Sequence, residues 1–396
     1  MKKIMILGAS ILQFPAIRKA KEMGLDVIVV DMNPDAVGFK EEGITRLQIS
    51  TIDTPKIVEA AREYRIDGIM TLASDMPMQT VAAVCEDLNL PGITPRTALN
   101  ATNKAEMRIC LKKNGVPVPE FYIVCEWGEF YDASKNFVEK FIVKPADNSG
   151  NRGIKLVTDF SIENLKEAYA YSKQYSRDGK ILLEEYMEGD EFSVESISVH
   201  GVCNIIQITD KITSGKPYFV EMGHTQPSRY DTAKLRDIAS VAKMGVEVLG
   251  INHGPSHTEI KYTAGGPKVV EIGARLGGDF ITTHLVPLST GVDMVTANIK
   301  CAIGEDPDIE KKHAKCSAVR FLQPQPGRLK SVSGITEAEA VNGVFEVGLL
   351  KHIGEIVPEM RNSLDRVAYV VVQGNTSDEV MAACEEAIKK IHFEIM

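Results

Sequence analysis

Residues 257–278 read HTEIKYTAGGPKVVEIGARLGG. The stretch is two short strands joined by Ala-Gly-Gly-Pro, a hairpin signal because glycine supplies positive φ and proline stops the ladder. With an odd-numbered loop, Glu259 falls opposite Glu271, Thr258 opposite Ile272 and Ile260 opposite Val270. One face is then mostly apolar. The other carries His257, Glu259, Lys261, Glu271 and, one step on, Arg275. A slip of one residue would separate the two glutamates. Directly opposed carboxylates repel unless a cation lies between them. A hard divalent ion such as magnesium, held by one or two carboxylates plus phosphate oxygens, answers that arrangement. A solvated hairpin face is the alternative.

Working outward, the 396 residues are enough for two or three domains. The net charge of −9 argues against nucleic acid or an anionic membrane as the main partner. No run approaches the ~20 apolar residues of a membrane span. The N-terminal KKIMILGAS is cut short by Gly8 and reads as a first buried strand, not a signal peptide. Seven scattered cysteines without a Cys-x-x-Cys pair fit a reduced, cytoplasmic protein with no zinc site.

Before the hairpin, residues 1–95 alternate short apolar strands with helices, the pattern of a doubly wound parallel α/β sheet. Its first turn, GASILQ, lacks the later glycines of a dinucleotide fingerprint, which weakens an NAD reading even with Asp31 closing the second strand. Gly8 and Ser74–Asp75 fall at carboxyl ends of strands, where this architecture places its ligand crevice. A helix is expected from Lys104 to Asn114. Lys144 then ends a strand that leads through ADNSGNRG into another at 153–157. That loop is no Walker site, yet its small residues let backbone N–H groups approach phosphate oxygens; a surface hairpin loop is the alternative. Further on, Ile181–Leu183 is a strand, 184–189 an acidic turn, 192–199 a strand and 220–229 a polar loop carrying Glu221 and His224. Thr232–Leu249 is an amphipathic helix, and the region after about Ile309 reads as small and mixed.

Lys104, the Lys144 strand with ADNSGNRG, EEYMEGDE and TEIKY…VEIGAR stand in the order and spacing of the ATP-grasp carboxylate–amine ligases, and the chain resembles that superfamily over nearly its whole length. GHTQPS at 223–228, HTEIK at 257–261 and EIGARLGGD at 271–279 resemble the bacilysin-synthetase type of L-amino-acid ligase most. Phosphoribosylglycinamide synthetase is a looser likeness, through EEYMEGDEFSVE. Gly273 departs from the biotin-carboxylase and carbamoyl-phosphate pattern, which commonly has a metal-binding asparagine there.

The resemblance implies a pre-ATP-grasp domain over residues 1–100 and an ATP-grasp region over 101–305, whose lid spans about 115–185. A small α+β closing domain over 306–396 would follow. It implies ATP and Mg2+ (or Mn2+), and phosphate-neutralising Lys104 and Lys144. Ser149, Gly150 and Gly153 would lie in the lid, and Glu184, Glu185, Tyr186 and Met187 at the adenine hinge, with Glu191 on the ribose. Glu259 and Glu271 would hold the metal, and Arg275 would meet the developing phosphoryl and carboxylate charge. Glu221 and His224 would read the amino group of the first substrate. The activity implied is activation of a carboxylate as an acyl phosphate and its transfer to an amine by a cytoplasmic homodimer. A purine-pathway ligase joining glycine to phosphoribosylamine, or a kinase that stops at phosphoryl transfer, is the alternative.

Overall fold

The computed structural model describes residues 1–148, 152–216 and 218–396. Its N-terminal sheet is parallel, with strands Thr45–Leu47, Asp26–Val30, Lys3–Leu7 and Gly68–Met70 side by side in that order. Helices Phe14–Glu22 and Thr54–Tyr64 connect strands of this sheet and Met78–Leu88 follows the last of them, as the alternating pattern predicts. Ile4–Leu7, Val27–Val30 and Ile69–Met70 are apolar because both faces are covered, whereas the edge strand Thr45–Leu47 carries the exposed Arg46. Met5, Leu7, Ile28 and Val30 join a core that includes Val246, Ile260, Val269 and Ile272. Ile4, Ile6, Val27 and Val29 join a second one with Leu276, Ile281 and Val295. Neither face is completed by N-terminal residues alone.

The first turn is built for packing, not for a dinucleotide. A Cβ on Gly8 would lie 2.8 Å from Gln13 Oε1, and the Gln13 amide donates to the Leu72 carbonyl at 2.6 Å. Asp31 accepts from the Ala9 and Asn33 N–H groups, which leaves it committed within its own loop.

The central sheet has eight antiparallel strands. In spatial order they are Gly266–Gly273, Gly254–Thr263, Asp190–Val199, Val202–Thr213, Glu221–Gln226, Cys316–Leu322, Ala368–Gly374 and Val344–Leu349. Glu259 pairs with Glu271 and Thr258 with Ile272, in the expected register. The route to it differs. The connection leaves Thr263 opposite Gly266, so the loop is even-numbered, and a bulge at Val270 restores the parity and sets Ile260 opposite Val269. The polar loop expected at 220–229 is instead largely the strand Glu221–Gln226, held between Val202–Thr213 and Cys316–Leu322 with His224 buried. Polar composition misled there, because this strand lies over a polar site and not over an apolar core. Three strands of the closing residues extend the central sheet.

A smaller antiparallel sheet, Phe121–Val124, Ile181–Glu185, Phe141–Pro145 and Lys155–Val157, carries helices Trp127–Ser134 and Ile162–Tyr175. Its core is its own, built on Phe130, Phe141 and Leu183 with Trp127 and Tyr169. The acidic turn is shorter than expected, since the strand continues through Glu184 and Glu185. Gly189 closes it at φ 139°, and a Cβ there would lie 2.0 Å from the Tyr262 carbonyl oxygen. Gly189→Ala is therefore expected to destabilise the fold by about 3 kcal/mol, read by urea unfolding. A loss below ~0.5 kcal/mol, the range of an ordinary surface substitution, would mean that the turn is not constrained in this way.

Candidate active site

The hairpin face, the neighbouring strands and the helix Lys104–Lys113 converge on one cluster of alternating charges. The helix start is fixed by Asn103, whose side chain accepts from the Ala105 and Glu106 N–H groups, and by Lys104 N–H donating to the Ala146 carbonyl at 2.7 Å. Lys104 and Arg108 lie one turn apart on the same helical face. Lys104 Nζ is 2.8 Å from Glu271 Oε1 and 2.9 Å from the Asn148 carbonyl. Arg108 Nε lies 2.7 Å from Glu184 Oε1, and Lys144 Nζ lies 2.6 Å from Glu184 Oε2. All three of these groups are buried. Burial alone would raise the Glu184 carboxyl, but Arg108 and Lys144 outweigh it and hold it down to about 2. Burial lowers the Lys144 ammonium below its ordinary value, since Arg108 and Lys104 also stand against its charge.

Beside this cluster, Lys211 projects from Val202–Thr213 into three glutamates. Its Nζ is 2.7 Å from Glu191, 2.9 Å from Glu259 and 3.6 Å from Glu221. Desolvation opposes the charge, and the three carboxylates more than reverse this, so Lys211 stays an ammonium ion. His257 lies beneath Glu259, its Nδ1 2.5 Å from the fully buried Glu195 and its Nε2 3.6 Å from Glu259 Oε1. Burial would lower the imidazole, but Glu195 pushes it up to about 9. A Cβ on Gly277 would lie 2.7 Å from His257 Nδ1, which is the reason for glycine there.

At the far end, Glu221 accepts from Ser363 Oγ at 2.7 Å, and Arg366 binds Asp279 through two hydrogen bonds of 2.8 and 2.7 Å. His224 is 1% exposed, yet neither ring nitrogen makes a hydrogen bond among the described residues; its nearest ionic neighbour is Asp279 at 3.5 Å. A buried imidazole without a hydrogen bond is costly unless a ligand supplies one.

Three family profiles cover most of this architecture: "ATP-grasp N-terminal domain" over residues 17–92, "ATP-grasp domain" over 137–283 and "L-amino acid ligase C-terminal domain 2" over 320–396. The chain belongs to the ATP-grasp family. Among its relatives, an uncharacterized protein y4rH of Sinorhizobium fredii is 27% identical over 362 residues, 88% of this chain and 74% of that one. The L-arginine-specific L-amino acid ligase of Bacillus subtilis is 25% identical over 302 residues, 73% and 72% of the two chains. The crystal structure of the L-amino acid ligase from Bacillus licheniformis shares the fold with a TM-score of 0.87 at 22% identity, covering 100% of this chain and 99% of that one.

ATP-grasp proteins use ATP and a divalent metal ion. The donor set here fits both. No group of three or more His, Cys, Asp or Glu side chains with metal-site geometry occurs among the described residues. Two opposed carboxylates are, however, what magnesium takes when phosphates complete its shell. Lys104 and Lys211 now neutralise those two acids. Along the segment expected to meet adenine, Lys268 binds Glu185, Lys261 reaches the Met187 carbonyl at 3.4 Å, and the Tyr186 ring is flanked by Lys140, Lys216 and Lys261 at 4.7, 5.5 and 5.6 Å. The Glu184 side chain is held by Arg108 and Lys144. Gly153 adjoins the Lys144 strand, where a Cβ would lie 3.1 Å from Pro145. Ser149 and Gly150 fall outside the described residues.

Sequence reasoning passed over Arg108, Lys211, Glu195 and Arg366. Lys211 had a signal, the alternating β-branched run IIQITDKIT. Arg108 reads in sequence as one more solvated helix cation.

Proposed function

We propose that this ATP-grasp protein joins the carboxylate of an amino acid to an amine, releasing ADP and phosphate. It is an ATP-dependent carboxylate–amine ligase, with homologues named L-amino acid ligase and alanine–anticapsin ligase. The observation that carries the reading is the in-register opposition of Glu259 and Glu271, with Lys104 on Glu271 and the Arg275 charge close to both.

A carboxylate is a poor acyl donor because oxide would have to leave; accepting the γ-phosphoryl of ATP turns it into an acyl phosphate. Mg2+ or Mn2+ held by Glu259 and Glu271 would supply charge neutralisation at the phosphates. In this reading Lys104 and Lys144 neutralise phosphate oxygens. Backbone groups of Glu185 and Met187 read the adenine beside Tyr186, and Glu191 accepts from the ribose. Glu221 takes the ammonium of the acyl-donating amino acid, His224 finds its missing partner there, and Arg275 faces the carboxylate as it gains the phosphoryl group. The loop containing Ser149, Gly150 and Gly153 would shield the intermediate from water. The protein positions and neutralises; no side chain of its own need act as nucleophile. Domain limits near residues 100 and 305, a homodimer and a cytoplasmic location complete the proposal.

A glycine-plus-phosphoribosylamine ligase is the second reading, and residues 320–396 speak against it, since they match the L-amino acid ligase C-terminal domain. The test is turnover with magnesium-ATP and a panel of amino acids, singly and in pairs, with hydroxylamine as trap. ADP, phosphate and an amino-acid hydroxamate are expected. AMP and pyrophosphate would overturn the mechanism, and ADP release only with glycine and phosphoribosylamine would establish the second reading.

A further inference from the structure

Arg275 does not stand alone in the site. Its Nε lies 2.9 Å from Asp75 Oδ1 and its Nη2 2.8 Å from Asp75 Oδ2, a two-point clamp, while Nη1 donates to the Leu276 carbonyl at 3.2 Å. Asp75 comes from the turn after the last strand of the N-terminal sheet, 200 residues away in sequence. The partners are 18% and 15% exposed at their side chains. Gly273 makes the approach possible: a Cβ there would lie 2.9 Å from Asp75 Oδ1 and 3.2 Å from Arg275 Nε and Cζ. Gly273 therefore leaves the room beside Glu271 through which a carboxylate from another sheet arrives.

Resting on the ligase reading above, we propose that Asp75 is a positioning residue: it grips Arg275 by its Nε–Nη2 edge and aims the Nη1–Nη2 edge at the reacting carboxylate. A guanidinium has five N–H donors in a fixed plane. Two are taken by Asp75 and one by Leu276, which leaves two on the outer edge for substrate oxygens. Two parallel hydrogen bonds fix the plane as well as the distance, which a single contact would not. The geometry of phosphoryl transfer is thereby tied to the placement of the N-terminal sheet.

Asp75→Asn keeps the shape and one acceptor but loses the charge. Its kcat for hydroxamate formation is expected to fall about a hundredfold, the cost of misplacing a reacting group by roughly 1 Å. KM for the amino acid should rise, with KM for ATP unchanged. In an Arg275→Lys background, where the two-point grip is already lost, the same change should cost no more than about twofold. Wild-type kcat in Asp75→Asn, or equal losses in both backgrounds, would overturn the proposal. A nitrogen-15 NMR measurement of the Arg275 Nε–H separates it from the ligase reading and needs no turnover. A slowly exchanging signal that persists with magnesium-ADP bound supports the clamp. Loss of that signal on nucleotide binding means that Asp75 lets go and overturns the clamp, even if hydroxamate is formed. Persistence of the signal in a protein that forms no hydroxamate would reject the ligase reading and leave the clamp standing.

Discussion

Glu271→Gln is expected to lower ADP formation by about a thousandfold or more while leaving the protein folded. The substitution keeps the side-chain volume and an oxygen that can still accept from Lys104, whose other contact, the Asn148 carbonyl, is untouched. What it removes is one of two opposed negative charges on the hairpin face. If those charges exist to hold a divalent ion against phosphates, turnover collapses while the chain stays folded. Steady-state ADP release at saturating magnesium, with circular dichroism as the control for folding, gives the answer. Near-normal activity would mean that the opposition of Glu259 and Glu271 has no role in metal binding.

Glu184→Gln is expected to do the opposite, costing about 3–5 kcal/mol of stability. Arg108 and Lys144 share this one carboxylate in a site closed to water, and removing its charge leaves two buried cations uncompensated. Arg108 would keep its bond to the Val270 carbonyl, which supplies no negative charge. The pH dependence follows from the sign of the shift. The carboxyl is held from an ordinary 4.5 down to about 2, so its contribution is full above the unfolded-state value and disappears as pH falls through that window. Urea unfolding at neutral pH and at pH 3 should therefore show a large difference between wild type and variant at the first and a much smaller one at the second. A variant as stable as wild type at neutral pH would show that water reaches the pair.

The sequence carries the parts of this site that depend on short range. Period-two alternation predicts that Glu259 and Glu271 meet, and alternating strand and helix predict the N-terminal sheet, because both patterns are complete within a few dozen residues. The bulge at Val270 is not legible, since an even loop with a bulge and an odd loop without one give the same opposition. The burial of the 221–226 strand is hidden by its polar composition, which serves the Glu221–Lys211 ion pair, the approach of His224 to Asp279 and the Arg366 hydrogen bond to the Glu221 carbonyl, all from distant segments. Asp75 looks like an ordinary turn residue until the fold brings it to Arg275. The chemistry of each residue can be read locally, but its partner cannot.

The shared cores have a consequence for synthesis. Ile4, Ile6, Val27 and Val29 leave the ribosome first, yet the residues that cover them, Leu276, Ile281 and Val295 among them, leave more than two hundred positions later. Met5, Leu7, Ile28 and Val30 wait in the same way for Ile260, Val269 and Ile272. The N-terminal sheet must therefore persist as a nascent, half-covered platform through most of translation, a period in which open apolar faces invite aggregation. The three-part architecture is sequential along the gene, but its completion is not: the first part to be made is among the last to be finished.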